Sequence, residues 1–304
     1  GERRAPQDGA ATREAQTREE PPTLREELAH LREEHQPAPL ASRALAMIPL
    51  EPLGDFSVTS PRFGATAAAQ STEELPMSLR HALNFIRCLP ALPRTSPECQ
   101  RPFLPAQVAP RPCLVLDLDE TLVHCNRGGN RTPAGTIPAA PDLLVEFDDI
   151  PSYGGVAFRP FVQFFLEVAA KSFEIVVFTA SQQAYADKVI NALDPTGAHI
   201  HHRLYRQHCT ELRGAFFKEL GLLGRPLSQC ILVDNSPISV ACNADNSVLI
   251  RSWYGERNDQ ELMELLAVLQ DLQVYGGDAD RYLNHRYGLR EFFHAMREGV
   301  ARQR

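Results

Sequence analysis

Asp117 and Asp119, two residues apart at the end of an apolar run, are the side chains best placed to do chemistry in this chain. They lie in Cys113-Leu-Val-Leu-Asp-Leu-Asp-Glu-Thr-Leu-Val-His124. The run predicts a strand over 113–118 that feeds a tight loop. Residues i and i+2 of an extended chain point the same way. Both carboxylates can therefore face one pocket beyond the strand's carboxyl end, where open α/β sheets bind their ligands. Two carboxylates that close repel each other unless a divalent cation neutralises one and a proton the other. That chemistry suits Mg²⁺-assisted phosphoryl transfer, with one Asp as nucleophile and the other as acid/base. A lone Asp-x-Asp is usually a solvated strand end. Here the whole Asp-x-Asp-x-Thr pattern, through Thr121, follows a buried-looking strand, which favours the chemical reading.

Two more apolar runs end in polar residues of the same kind. Phe173–Thr179 ends in Thr179 and Ser181, and Cys230-Ile-Leu-Val-Asp234 ends in Asp234 and Asn235. Between them lies Lys218, at the start of a stretch, about 216–223, whose spacing predicts a helix. A hydroxyl can bond a phosphate oxygen and an ammonium can neutralise it. A carboxylate and an amide can complete a hard-cation site built from oxygens. Lys171, Lys188 and Lys218 are the only lysines among 31 basic residues, so a compact ammonium at this position is itself informative.

The elements that must position these residues alternate. After strand 113–118 come two extended segments, 143–148 and 154–158, as a small β-hairpin insertion. A helix at 160–171, the strand at 173–179 and a helix at 182–193 follow, then short extended pieces around 203–213. The strand at 230–234, one near 247–250 and a helix at 259–272 complete the series. Unbroken apolar strands between helices predict an α/β fold, a Rossmann-like parallel sheet with helices on both faces. Trp253 is expected to pack, and Leu262, Leu265, Leu266 and Leu269 to form the covering face of their helix. The phosphate-site domain is expected over 112–275, followed by a helical extension, 276–304, packed on it in part. Residues 76–111 are a helix (78–89) and a Pro-rich connector. Residues 1–75 are expected to be mostly disordered, with a short helix at 23–35 introduced by the capping box Thr23-Leu-Arg-Glu26.

Composition narrows the class. A formal charge of −7 argues against direct nucleic-acid binding, and no apolar run approaches the ~18 residues of a membrane span. Seven scattered cysteines without Cys-x-x-Cys suggest reduced thiols. The cluster His199, His201, His202, His208 and Cys209 lacks zinc-ligand spacing; with Arg203 and Arg206 interleaved, a basic rim facing a phosphopeptide is better supported than zinc, and ordinary surface is the other reading.

Asp117-Leu-Asp-Glu-Thr-Leu-Val-His124, Phe178-Thr-Ala-Ser181, Tyr185-Ala-Asp187, Lys218 and Val233-Asp-Asn-Ser-Pro237, in this order over about 112–290, resemble the small-phosphatase branch of the haloacid-dehalogenase superfamily. That branch includes the phosphatases of the RNA polymerase II carboxyl-terminal domain. Arg203–Cys209, Asp194-Pro195 and Ser252-Trp253-Tyr254 look closest to its small phosphatase-like 2 group. The resemblance implies a Mg²⁺-dependent phosphoserine/threonine protein phosphatase, nuclear and/or cytoplasmic, with the polymerase tail among its possible substrates and a monomer favoured. It implies Asp117 as nucleophile, forming an aspartyl-phosphate, and Asp119 as acid/base. Thr179, Lys218 and Leu118 would hold the phosphate. Asp117, the carbonyl of Asp119 and Asn235 would hold the metal, with Asp234 supporting it. Arg206, Tyr185, Val145 and Phe147 match a substrate groove. Gln182 stands where proline-gripping members have Leu, which predicts a weak Ser-Pro preference. Neither the gap from Thr121 to Thr179 nor that from Thr179 to Lys218 has room for a full cap domain, so the pocket is expected to admit a phosphorylated protein. The alternatives are a non-catalytic interaction module on this fold, as in the related import receptors, and a small-metabolite phosphatase.

Overall fold

In the computed structural model the residues described are Gly1, 77–89, 91–94, 101–126, 140–147 and 153–301. Apart from Gly1, all belong to one unit, Met47–Arg304. The expected helix at 23–35 and disorder over 1–75 lie outside them.

Three apolar runs make the centre of the molecule. β1 (Cys113–Leu116), β5 (Glu174–Phe178) and β9 (Cys230–Asp234) are buried at every position. Successive residues of a strand face opposite sides, so uninterrupted burial means that both faces are covered. With β6 (His202–Leu204) and β10 (Ser247–Leu249) they form a five-stranded sheet in the order β10-β9-β1-β5-β6. Every pairing is parallel. The α/β class follows from the sequence as expected. Leu116 lies opposite both Val177 and Val233, so β1, β5 and β9 end level, and Asp117, Thr179 and Asp234 share one edge of the sheet.

The helices cover this sheet. α1 (Met77–Cys88) packs against α4 (Pro237–Val240) and α7 (Leu289–Ala301). α2 (Val162–Ala170) lies between β5 and α5 (Glu261–Tyr275), and α6 (Ala279–Tyr287) against β9 and β10. Leu262, Leu265, Leu266 and Leu269 are buried on α5, and Trp253 is buried beside it in sequence. α3 (Gln183–Leu193) follows β5 and packs on the insertion.

Two expectations need correction. The insertion is a three-stranded antiparallel sheet, β2-β4-β3, built from β2 (Val123–Asn126), β3 (Leu143–Glu146) and β4 (Tyr153–Phe158). β2 was not anticipated because its alternation, Val-His-Cys-Asn, lasts only four residues and follows directly on the Asp-x-Asp-x-Thr loop. The stretch 216–223 is not a helix. β7 (Thr210–Leu212) and β8 (Ala215–Phe217) pair around Arg213-Gly214. Both turn residues have positive φ, 53° and 79°, the geometry of a two-residue hairpin turn. Helical spacing of Phe216, Leu220 and Leu223 competed with that turn and lost, leaving only a 3₁₀ turn at Leu220–Leu222.

Candidate active site

Asp117 is the first residue past β1, and its N–H still donates to Val233 on the neighbouring strand (2.9 Å). The strand thus fixes the backbone of the carboxylate. Lys218, immediately after β8, reaches across the sheet edge. Its Nζ lies 2.6 Å from Asp117 Oδ1 and 2.5 Å from Asp234 Oδ2, and all three residues are buried. Burial alone would lower the lysine's pKa, but Asp117 and Asp234 outweigh it and push it above its ordinary value. Asp234 is raised to about 6, chiefly by desolvation and then by the charge of Asp117, with Lys218 pulling the other way. Its second oxygen accepts the Ser236 N–H (2.8 Å). Asp234 is therefore turned to Lys218 and the main chain, which suits a supporting role. Asp117 Oδ2 has no partner among the described residues.

Asp119 sits in a different setting. Ser181 Oγ donates to Oδ2 and the Tyr185 hydroxyl to Oδ1, each at 2.7 Å, and no cation touches it among the described residues. Burial raises its pKa to about 6 and the nearby charge of Glu120 adds to the rise, while Ser181 and Tyr185 oppose it. Tyr185 is pushed far above its usual range by burial and by Asp119, so the phenol keeps its proton and serves as donor. The turn is held from behind. Glu120 has a left-handed backbone (φ 58°), uncommon for a residue with a side chain, and its carbonyl accepts the Trp253 N–H (2.9 Å). Arg159, fully buried, donates to the Thr121 carbonyl (3.0 Å) and to both oxygens of Asp259 (2.8 Å each).

The other expected residues line the same edge. Thr179 Oγ1 accepts the Ser181 N–H (3.0 Å), which leaves its own hydrogen for another acceptor. The Leu118 side chain is fully buried, so only its main-chain N–H could serve an anion. Asn235 Nδ2 donates to Ser252 Oγ (2.9 Å), and its Oδ1 faces Thr121 Oγ1 at 3.4 Å. No group of three or more His, Cys, Asp or Glu among the described residues is arranged to hold a metal. A cation here would rest on Asp117, the Asp119 carbonyl, Asn235 Oδ1 and water. Such an all-oxygen set with few carboxylates fits Mg²⁺, which keeps several waters.

A model of the NLI interacting factor-like phosphatase family matches residues 112–280, more than half of the chain. The chain belongs to that family. CTD small phosphatase-like protein 3 of Caenorhabditis elegans is 42% identical over 192 residues, 62% of this chain and 65% of that protein. CTD small phosphatase-like protein 2 of Dictyostelium discoideum is 41% identical over 164 residues, 54% of this chain and 28% of that one. CTD nuclear envelope phosphatase 1 of Xenopus tropicalis is 39% identical over 165 residues, 54% of this chain and 68% of that protein. The chain thus spans less than two thirds of the two small-phosphatase relatives. The solved structure of "Fcp1, an essential RNA polymerase II CTD phosphatase" has a TM-score of 0.38 at 20% identity over 54% of each chain.

Around this centre the expected groove residues divide. Val145, Phe147 and Tyr185 are buried, and Phe147 stacks on Tyr185 with ring centroids 5.9 Å apart. Arg206 belongs to the other side, in an open cleft of about 610 Å³ lined by Gln182, Gln183, Arg206, Gln207, Cys209, Glu211 and Phe216. Its Nε donates to the Ala180 carbonyl (2.6 Å), next to Thr179. The expected basic rim is reduced, since its partly exposed neighbours are tied to other side chains and main chain. His202 pairs with Glu174, His208 accepts the Tyr205 N–H, and Arg203 bonds Asp187 and Asn191. Sequence reasoning placed Ser181 with the phosphate residues and Tyr185 with the groove; it missed that both hold Asp119. Their spacing, i and i+4 across the start of a helix, was the available signal.

Proposed function

We propose that this chain is a Mg²⁺-dependent protein serine/threonine phosphatase acting through an aspartyl-phosphate. The observation that carries this reading is the unequal setting of two aspartates two residues apart. One is ion-paired to a buried ammonium. The other is held between two hydroxyl donors, and burial pushes its pKa up to about 6. Paired acids whose environments differ in this way supply a nucleophile and an acid/base from one loop.

Asp117 attacks phosphorus through an oxygen that Lys218 does not occupy, and the bond to the seryl oxygen breaks. Asp119 gives its proton to that leaving oxygen. It then takes a proton from the water that attacks the aspartyl-phosphate, which releases inorganic phosphate and restores Asp117. A group with a pKa near the working pH can do both. Ser181 and Tyr185 engage two of the roughly four lone-pair positions of Asp119, so the shuttled proton has room. Lys218, the Thr179 hydroxyl and the Leu118 N–H bind the phosphoryl oxygens. Mg²⁺, held by Asp117, the Asp119 carbonyl and Asn235, would supply charge neutralisation for the phosphoryl group. The open cleft supports a phosphoprotein substrate, and the relatives named nuclear envelope phosphatases support a nuclear association.

The test is a panel of phosphoserine and phosphothreonine peptides, assayed with and without Mg²⁺ on wild type and Asp117→Asn. Wild type should release phosphate only with Mg²⁺. The variant should lose at least ~10³ in turnover, equivalent to roughly 4 kcal/mol of barrier. A variant retaining more than about a tenth of wild-type turnover would remove Asp117 from the nucleophile role.

A further inference from the structure

The cleft beside Thr179 contains a charge that nothing in the reaction above uses. Glu211 lies on β7 directly across from Phe216 on β8. Cross-strand partners project to the same face of a sheet. The Arg206 guanidinium covers the Phe216 ring at 5.1 Å to its centroid. Arg206, Phe216 and Glu211 therefore share one wall. The two charges differ in their commitments. Arg206 is tied through Nε to the carbonyl of Ala180, at the catalytic end. Glu211 is exposed and has neither an ion pair nor a hydrogen bond among the described residues.

Three amides also line the cleft, Gln182, Gln183 and Gln207. Gln182 and Gln183 begin α3, and Gln207 Nε2 donates to Gln183 Oε1 (3.1 Å). Amides both donate and accept, which suits the main chain of an extended peptide rather than an apolar side chain. The hairpin that carries Glu211 runs straight into Lys218 at the end of β8. Its base is fastened on the other strand too, because the Thr210 hydroxyl, opposite Phe217, bonds the Glu219 carboxylate. The cleft borders the expected phosphate residues, since Arg206 and Cys209 in its lining reach the carbonyls of Ala180 and Thr179.

We propose that Glu211 sets a preference for phosphopeptides with a lysine or arginine in the segment that lies along this cleft, on one side of the phosphoserine. This rests on the phosphatase reading and refines its substrate class. The cleft is dipolar, with Arg206 next to the phosphoryl group and Glu211 further out, so an occupant should present its phosphate first and a cation some residues away. An acidic side chain at the same place would face Glu211 as a like charge. Exposed ion pairs change affinity by about two- to fivefold, and the effect should weaken as salt shortens the screening length.

The test uses the full chain and phosphoserine peptides of one length, carrying Lys, Ala or Glu at each flanking position in turn. Catalytic efficiency is measured at low and high salt for wild type, Glu211→Gln and Glu211→Lys. The readout is the ratio between the Lys and Glu peptides within each protein, so a general loss of activity cancels. Wild type should favour Lys by about three- to tenfold at one or two positions. Glu211→Gln should bring the ratio close to one, and Glu211→Lys should invert it. A flat wild-type profile, or a Lys preference that survives Glu211→Lys, would overturn the assignment. Binding of the same peptides by fluorescence anisotropy gives a second readout. Without turnover of any phosphopeptide the phosphatase reading falls, yet the charge ratio in binding still decides whether Glu211 selects the occupant.

Discussion

Lys218 is the residue on which the charge balance of the site depends, and Lys218→Met exposes that balance. The ammonium lies 2.6 Å from Asp117 Oδ1 and 2.5 Å from Asp234 Oδ2, so those oxygens are no more than about 5 Å apart. Methionine fills the space without the charge. Two carboxylates at that separation repel by about 3 kcal/mol at an effective dielectric of ~20. Removing one partner from a buried ionic cluster typically costs about 3–5 kcal/mol, so the variant should lose about that much stability at pH 8 in metal-free buffer.

The sign of the pH dependence is fixed by the same geometry. Asp234 is already raised to about 6 in the intact protein, and loss of the ammonium can only raise it further. Between the unfolded value, ~3.9, and the raised folded value, the folded variant binds more protons than the unfolded chain. Its stability must therefore rise as the pH falls through that window, and the deficit against wild type must shrink. In wild type the contribution of Lys218, whose folded pKa is raised, is fully present across this range and is lost only above the ordinary lysine pKa. Denaturant unfolding at pH 8 and pH 5 should show the deficit falling by about 1–3 kcal/mol. An equal deficit at both values would mean that Lys218 packs the site without balancing its charge.

Three further substitutions probe separate parts of the site. Asn235→Ala should raise the Mg²⁺ concentration needed for half-maximal turnover and leave the fold intact, and Ca²⁺ should inhibit because it prefers more and longer oxygen contacts; full activity in EDTA would defeat the metal reading. Tyr185→Phe removes one of the two donors to Asp119 and should shift the alkaline limb of the catalytic-efficiency profile, where Asp119 loses the proton it must donate, to higher pH, since that donor opposes the raised pKa; an unchanged profile with lower turnover would make Tyr185 a packing residue. Arg159→Met strands the buried Asp259 carboxylate and should cost about 3–5 kcal/mol in denaturant unfolding; a loss under about 1 kcal/mol would show that the pair is not a brace for the Thr121 loop.

The sheet was legible because its central strands are nearly continuous apolar runs separated by helical stretches, the pattern of a parallel sheet covered on both faces. Each run ends in a polar residue, so the strand ends marked the site as well. The hairpin β7–β8 was obscured by a helical recurrence of Phe and Leu, although Arg213-Gly214 held a competing turn signal. The Arg159–Asp259 pair spans 100 positions, and no local pattern links residues so distant. Lys218 could be singled out by type and rarity, whereas its attachment to the end of a strand needed the register of β7 and β8.

The insertion sheet also has a task that its sequence concealed. Phe147 and Tyr185 were expected as two walls of an apolar groove, but in the fold they stack on one another and are buried. Gly154 makes this possible, since a Cβ there would lie 2.8 Å from both the Phe147 ring and the Cys125 sulfur. Phe147 in turn limits where the Tyr185 ring can rest, and the Tyr185 hydroxyl holds Asp119 Oδ1. A glycine on β4 is thereby connected, through two aromatic rings, to the carboxylate assigned to proton transfer. An apolar surface spent in this way cannot also grip a substrate proline as freely as an open pocket would. The open cleft near Thr179 is instead lined by glutamines, Arg206, Glu211, Cys209 and the Phe216 ring, and on the proposed reading its charges and amides select the substrate.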